Sequence, residues 1–282
     1  MTKKLFTVDV EEYFQVGAME PYVSRDRWAE MPSRVERGVD LLLELLAERG
    51  ATGTFFTLGC VAERNPDVVR RIAAAGHEVA SHGWTHRRVT SLSPKELRTE
   101  LARSRDVLSD LSGKPVLGFR APNFSIVSGW EWAFDLLLEE GYRYDSSVFP
   151  GRHGRAAANA GVHWIRRTKG ELLEIPMTPA SLGPVQVPAG GGAWFRLLPY
   201  GLTARALKQA TKRGHPGVFY IHPWELDLEQ PRIAVNAFTR TRHYGGLART
   251  VPRLRRLFRE FEFISVRQWL EQDNTVPARV AA

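Results

Sequence analysis

Leu5-Phe6-Thr7-Val8-Asp9-Val10-Glu11 is the stretch on which the reading of this chain turns. Leu5 to Val8 form a short apolar run of the kind that makes a buried strand. Two carboxylates follow on alternate positions. Strand alternation puts Asp9 and Glu11 on one face and Val10 on the other. A carboxylate ending a buried strand lies where α/β folds place their active sites. The second informative stretch is His82-Gly83-Trp84-Thr85-His86, with two imidazoles four residues apart. Carboxylate and neutral imidazole suit a divalent transition metal such as zinc. Two histidines and one carboxylate leave coordination positions open, as catalytic sites do, and the other carboxylate is then available as a base. Taken alone, each pair has a plainer reading: surface or core histidines, and an edge strand with solvated charges.

The sequence alternates strand and helix signals. Residues 35–49 carry apolar positions at helical spacing, with Gly50 as a cap. Thr52 to Leu58 reads as a strand. Asn65-Pro66 opens a helix that runs to Gly76, and His77 to Ser81 is a strand delivering His82. Ser93-Pro94-Lys95-Glu96 is a capping box opening a helix to about Leu111. Val116 to Phe119 is a strand delivering Arg120, and Ser128 is read as the cap of a helix through Glu140. Gly217 to Ile221 is a strand delivering His222. A helix at 249–260, a strand at 261–265 and a short helix close the chain. This βαβα order implies parallel strands with helices outside. Asp9, Glu11, His82, Arg120, Asp145 and His222 all follow strand-like runs, and in a (β/α) barrel such positions converge on one face.

A length of 282 residues, 43% hydrophobic and 25% charged, describes an ordinary globular chain with enough surface to bury a sizeable core. The single cysteine, Cys60, rules out an internal disulfide and a cysteine-based zinc site, and its apolar flanks predict a buried, inert thiol. The net charge of +8 owes much to Arg240, Arg242, Arg249, Arg253, Arg255, Arg256 and Arg259. These read as a solvated helix face, or as attraction to anionic lipid or glycan. No nucleic-acid motif accompanies them. No secretory signal or eighteen-residue apolar window is visible, so a cytoplasmic location with peripheral contact at the inner membrane face is expected. The sequence is silent on oligomeric state.

With these motifs in this order, the chain resembles the NodB-homology polysaccharide deacetylases, carbohydrate esterase family 4. The resemblance is strongest to a branch linked to bacterial exopolysaccharide loci with exosortase systems. It covers nearly the whole chain and rests on Thr7-Val8-Asp9-Val10-Glu11, Ser81-His82-Gly83-Trp84-Thr85-His86, Arg120-Ala121-Pro122-Asn123, Asp145-Ser146-Ser147 and Tyr220-Ile221-His222. It implies a distorted (β/α) barrel of the NodB type and a metal-dependent N-deacetylase of an acetylated amino-sugar glycan. Asp9 is then the base, His222 the acid, and Arg120 the residue that holds the base. The metal is Zn²⁺, with Co²⁺ as an alternative, on Glu11, His82 and His86.

Departures from the family pattern locate the open questions. Val10 replaces the usual metal-binding aspartate, which makes Glu11 the ligand by analogy with Asp-x-Asp members, and Glu12 the second choice. Asn123 stands where many members carry tyrosine. Val148-Phe149 stands where others carry Asp-Trp, and Asp145 is then the candidate for the carboxylate that orients His222, with Glu225 and Asp227 as alternatives. Asn123, Tyr220, Trp224 and His243 are expected on the substrate side, and Trp130 and Trp132 are weighed as core or sugar-stacking rings. Residues 1–275 are expected to form one domain, with an elaborated insertion at about 150–200 that includes a flexible Pro188–Gly192, and 276–282 a disordered tail. Two other classes fit the scaffold: a hydrolase of small non-peptide amides, and a non-catalytic glycan-binding relative.

Overall fold

The computed structural model describes residues 3–150, 160–183 and 185–272. In chain order the elements are β1 (Lys4–Val10), α1 (Val35–Ala47), β2 (Thr54–Thr57), α2 (Gly59–Arg64), α3 (Pro66–Ala74), β3 (Glu78–Ser81), α4 (Pro94–Ser112), β4 (Gly118–Phe119), α5 (Trp132–Glu139) and β5 (Tyr144–Asp145). There follow β6 (His163–Arg167), β7 (Gly170–Glu174), β8 (Pro179–Leu182), β9 (Val185–Pro188), α6 (Gly192–Leu197), α7 (Tyr200–Lys212), β10 (Val218–Ile221), α8 (Ala237–Tyr244), α9 (Thr250–Glu260), β11 (Phe263–Ile264) and α10 (Val266–Gln272).

The main sheet runs β10-β1-β2-β3-β4-β5-β7-β6, with β11 also on β1. Neighbours along it are parallel, apart from β6 on β7. It curls into a distorted barrel with helices outside, as expected from the alternating strand and helix signals. All seven residues of β1 are buried, because β1 lies between β10 and β2. Its two faces do different work. Phe6, Val8 and Val10 join the large cluster under α1, α3 and α4, whereas Leu5 packs with Phe56, Ala80, Tyr144 and Val218 inside the barrel. Thr7, Asp9 and Glu11 continue the interior face above that apolar floor. The α4 capping box forms as read: Ser93 and Glu96 cap each other, Pro94 sits at the first helical position, and Gly113 ends the helix at φ 68°.

Two local expectations are corrected. Ser128 lies in a turn, and α5 starts at Trp132 with no side-chain cap, because the chain first turns through Gly129 at φ 90°. The described residues of the region 150–200 hold the β6–β7 and β8–β9 hairpins and also α6 and the start of α7. Its glycine run is closely packed rather than flexible. Gly191, at φ 143°, bridges Tyr220 of β10, and a Cβ there would lie 1.8 Å from the Tyr220 carbonyl oxygen. Glycine is required by the close approach of two backbones as well as by φ. The 276–282 tail lies outside the described residues.

The late arginines are not one free face. Arg255 pairs with Glu48 at 2.9 Å and Arg256 with Glu260 at 2.8 Å. Arg253 donates to the carbonyls of Phe195, Arg196 and Leu198. Among the described residues, no helix is long and apolar enough to cross a membrane. Cys60 is half-buried, and burial pushes its thiol up to about 12, which makes it a poor nucleophile.

Candidate active site

The C-terminal ends of β1, β3, β4 and β10 deliver their side chains into one pocket. It is lined by Asp9, Glu11, His82, His86, Asn123, Tyr220, His222, Trp224 and His243 among others. Every substrate-side residue singled out from the sequence is therefore at the pocket. Trp130 and Trp132 are not in its lining and pack against the main core.

Glu11, His82 and His86 present ligand atoms that all lie within 4.8 Å of one another, and all three side chains are buried. His82 Nδ1 donates to the Arg120 carbonyl at 2.8 Å, which fixes the tautomer and leaves Nε2 as a lone-pair donor. His86 Nε2 lies 2.8 Å from Glu11 Oε2, yet that oxygen is buried and makes no aligned hydrogen bond. A buried carboxylate oxygen without a hydrogen-bond partner costs free energy unless a cation meets it. Two imidazoles and one carboxylate, with an oxygen left over, fit a divalent metal of the zinc type. Burial drives the His82 ring down to about 4, so it stays in the neutral form a ligand needs.

Glu12, the second choice, points away as alternation requires. It accepts from the Ser33 hydroxyl at 2.5 Å and from the Arg34 amide at 2.9 Å at the start of α1. The His82–His86 loop is held by Glu100 of α4, a residue that sequence reading missed. Glu100 accepts from the Trp84 amide at 3.2 Å and the Thr85 hydroxyl at 2.8 Å.

Asp9 meets Arg120 at 2.6 Å. Burial pushes this carboxyl up, but the guanidinium beside it and the histidines His82 and His222 hold it below the ordinary value, so it is ionised at neutral pH. Arg120 is fully buried. Its other donors go to Thr7 Oγ1 at 3.0 Å, to the Ser146 carbonyl at 3.2 Å and to Ser146 Oγ at 2.9 Å, and its guanidinium lies over the Phe56 ring at 4.1 Å.

Across the pocket, His222 Nε2 lies 3.3 Å from Glu11 Oε1 and 4.0 Å from Asp9 Oδ2. Its Nδ1 donates to Glu225 Oε1 at 2.7 Å. Burial alone would lower the ring, but Glu225, Glu11 and Asp9 raise it to about 9, so it carries a proton at neutral pH. The Pro223–Leu226 turn folds Glu225 back three residues to cap His222. Asp145 does not fill this role. It accepts from Ser147 Oγ at 2.6 Å and from the Ser147 amide at 3.1 Å, one strand beyond Arg120. Asp227 is taken by Arg34 at 2.7 Å. Glu225 in turn is held by Arg196 Nε at 2.5 Å, both side chains being fully buried. Arg196, supplied by α6, was not singled out in the sequence. Its signal is an arginine four residues past Gly192, on the chain that bridges β10.

Backbone strain is confined to the same place. Among the described residues, the non-glycine positions at positive φ are His86 (53°), Asn123 (57°) and Phe124 (56°), and all three line the pocket. Each costs of order 1–3 kcal/mol and clusters where function needs it. Trp224 stacks between His222, at a centroid distance of 5.3 Å, and His243, at 4.1 Å. His243 is carried by α8, which Asn236 caps. Burial lowers the His243 ring to about 3, and its Nε2 pairs with Gln230 at 3.0 Å.

Known proteins share parts of this sequence and its fold. Residues 30–129 match the polysaccharide deacetylase family, and residues 146–271 match a domain of unknown function, DUF3473. The second match contributes β10 and β11, which flank β1, so both matches describe parts of one sheet. The chain is 28% identical over 159 residues to a peptidoglycan deacetylase of Helicobacter pylori, covering 50% of this chain and 53% of that protein. It is 30% identical over 150 residues to a peptidoglycan-N-acetylglucosamine deacetylase of Bacillus cereus, covering 44% and 54%. The chain thus spans about half the length of the curated relatives it matches. A Mycobacterium smegmatis structure assigned as a polysaccharide deacetylase superimposes with a TM-score of 0.66 at 20% identity, over 100% of this chain and 93% of that one, which shows a shared fold. The comparisons thus mark residues 30–129 as a polysaccharide deacetylase region and support a likeness of the chain to NodB-type deacetylases of carbohydrate esterase family 4.

Proposed function

We propose that this protein is a metal-dependent hydrolase that removes N-acetyl groups from an amino-sugar polysaccharide. The observation that carries this reading is the placing of an ionised carboxylate, Asp9, and a protonated imidazole, His222, around one Glu11-His82-His86 cluster. Each is locked by its own buried arginine–carboxylate contact: Arg120 on Asp9, and Arg196 on the Glu225 that orients His222. Acid and base held in opposite protonation states at one pH are what amide hydrolysis needs. The deacetylase names of the relatives support the substrate class.

A divalent metal, most simply Zn²⁺, would be held by Glu11, His82 and His86, and would supply Lewis acidity for hydrolysis of the acetamide. Asp9 takes the proton of the attacking water. Arg120 keeps Asp9 ionised and aimed. A backbone N–H near Asn123, which lines the pocket, would donate to the oxygen on which negative charge develops, and such donors contribute a large share of the barrier reduction. His222 gives its proton to the departing sugar nitrogen, so acetate and a free amine leave. The 2.7 Å bond to Glu225 keeps Nδ1 protonated and Nε2 directed at the pocket.

The same reading carries an exopolysaccharide as the glycan, and action at the cytoplasmic face of a membrane. The test is acetate and free-amine release from N-acetylated chitooligosaccharides, peptidoglycan fragments and exopolysaccharide, with and without chelator. Release from none of them, by protein shown to hold metal, overturns the proposal. Co-sedimentation with anionic but not neutral vesicles at low salt tests the membrane contact.

A further inference from the structure

We infer that the mouth of the pocket is a second subsite, built by Trp194 and Arg242, for an oxyanion-bearing sugar adjoining the N-acetylated one. The inference rests on the deacetylase reading for the identity of the reacting sugar, but not for the binding it describes. Trp194, on α6, lines the pocket and is 40% exposed, a large ring left in water at a concave site. Arg242, on α8, lines the same pocket and is exposed. Among the described residues, no carboxylate lies within 4.0 Å of its guanidinium. That distinguishes it from the arginines of α9, where Arg255 and Arg256 are paired. Phe238, 76% exposed, stands one helical turn before Arg242 on the same face of α8, and no acidic residue occurs in that helix.

Position within the pocket gives these groups a purpose. The charges at the floor are matched among themselves, with His222 Nε2 3.3 Å from Glu11 and 4.0 Å from Asp9 and Arg120 2.6 Å from Asp9, and the neutral acetamide enters there. The rim carries the free cation. A sugar chain threaded across the pocket would put its acetamide on the floor and a neighbouring ring against Trp194. A carboxylate or phosphate on that ring then meets the planar fork of Arg242, which pairs with either in two parallel hydrogen bonds. An aromatic ring beside a guanidinium supplies apolar contact and charge recognition together.

The test is direct binding, followed by intrinsic fluorescence or calorimetry, of three probes to wild type, Arg242→Gln and Trp194→Ala. The probes are N-acetylchitohexaose, a hyaluronan hexasaccharide of alternating uronate and N-acetylglucosamine, and an N-acetylchitohexaose phosphorylated at O6 of alternate rings. Acetate release is read separately on the same samples. Wild type is expected to bind a charged probe more tightly than the neutral one. Arg242→Gln should reduce that preference about tenfold, the scale of one charge-assisted contact. Trp194→Ala should weaken the hexasaccharides together. A preference confined to hyaluronan assigns a uronate, and one confined to the phosphorylated sugar assigns a phosphate. No binding of either charged probe, or an unaltered preference in Arg242→Gln, overturns the subsite. Failure of acetate release with the binding preference intact overturns the deacetylase reading instead.

Discussion

Arg196 Nε lies 2.5 Å from Glu225 Oε2 with both side chains wholly buried, and the same carboxylate holds His222 through its other oxygen. Burial should raise the Glu225 carboxyl, but Arg196 and His222 bring it down to about 2, so it is charged throughout the working range. The pair therefore keeps a positioning group fixed. Removing one partner of a buried ion pair leaves an uncompensated charge, at a cost of about 3–5 kcal/mol. Arg196→Gln should lower unfolding stability by that amount in urea titration. Glu225→Gln in protein that remains folded should reduce kcat by about 10²-fold or more, with KM little changed. Near wild-type turnover of Glu225→Gln would show that His222 needs no anchor.

Asp9→Asn should leave bound metal near the wild-type level and cut kcat by about 10²–10⁴, the worth of a general base. Metal analysis and steady-state kinetics on one preparation decide it. Equal loss of metal and activity would move Asp9 from base to ligand.

Chelation should abolish hydrolysis, and Zn²⁺ or Co²⁺ should restore it. His82→Ala should fail to recover. Because a metal that binds only the folded state stabilises it by mass action, excess Zn²⁺ should raise the Tm of apo wild type and not that of His82→Ala. An identical shift in both proteins places the ion elsewhere.

His77 offers a pH test away from the pocket. Its ring is buried against Phe55, its Nδ1 accepts from the Gly53 amide at 3.3 Å, and burial lowers it to about 4 from 6.5. The folded pKa is depressed, so between pH 6.5 and 4 the unfolded chain binds the extra proton. Stability is thus full above 6.5 and falls as pH drops through that window, by at most about 1.4 kcal/mol per pH unit from this group. Subtracting the pH–stability curve of His77→Gln from that of wild type should isolate that slope. Parallel curves from pH 6.5 to 4 would mean that His77 is not held neutral by burial.

Periodicity and chain order made most of the barrel legible. The apolar run ending in Asp9 and Glu11 specified a buried strand, and alternation alone put Glu11 rather than Val10 or Glu12 at the pocket, because side chains of a strand alternate strictly between its faces. The capping box at Ser93 and the glycine after α4 were equally readable, since they are local hydrogen-bond and φ preferences. What failed was non-local or depended on close approach. Gly190 to Gly192 reads as flexible because composition cannot show that β10 packs against it; the close approach of Gly191 to Tyr220, together with its positive φ, makes glycine obligatory.

The orienting carboxylate shows the same division. As sequence, Asp145 is favoured because it sits in a motif, and Glu225 and Asp227 are only alternatives. The Pro223–Leu226 turn brings Glu225 onto His222, while Ser147 engages Asp145 and Arg34 engages Asp227. Arg196 lies 26 residues before His222 and reaches Glu225 only because α6 follows the Gly190-Gly191 segment that lies against β10. The sequence by itself determined which residue types could bind a metal and move protons, and which strand face they share, because those follow from chemistry and the local repeat. Which carboxylate meets which cation was decided by the tertiary structure, because a buried ion pair forms wherever packing brings two charges out of water together, and no spacing along the chain encodes that meeting.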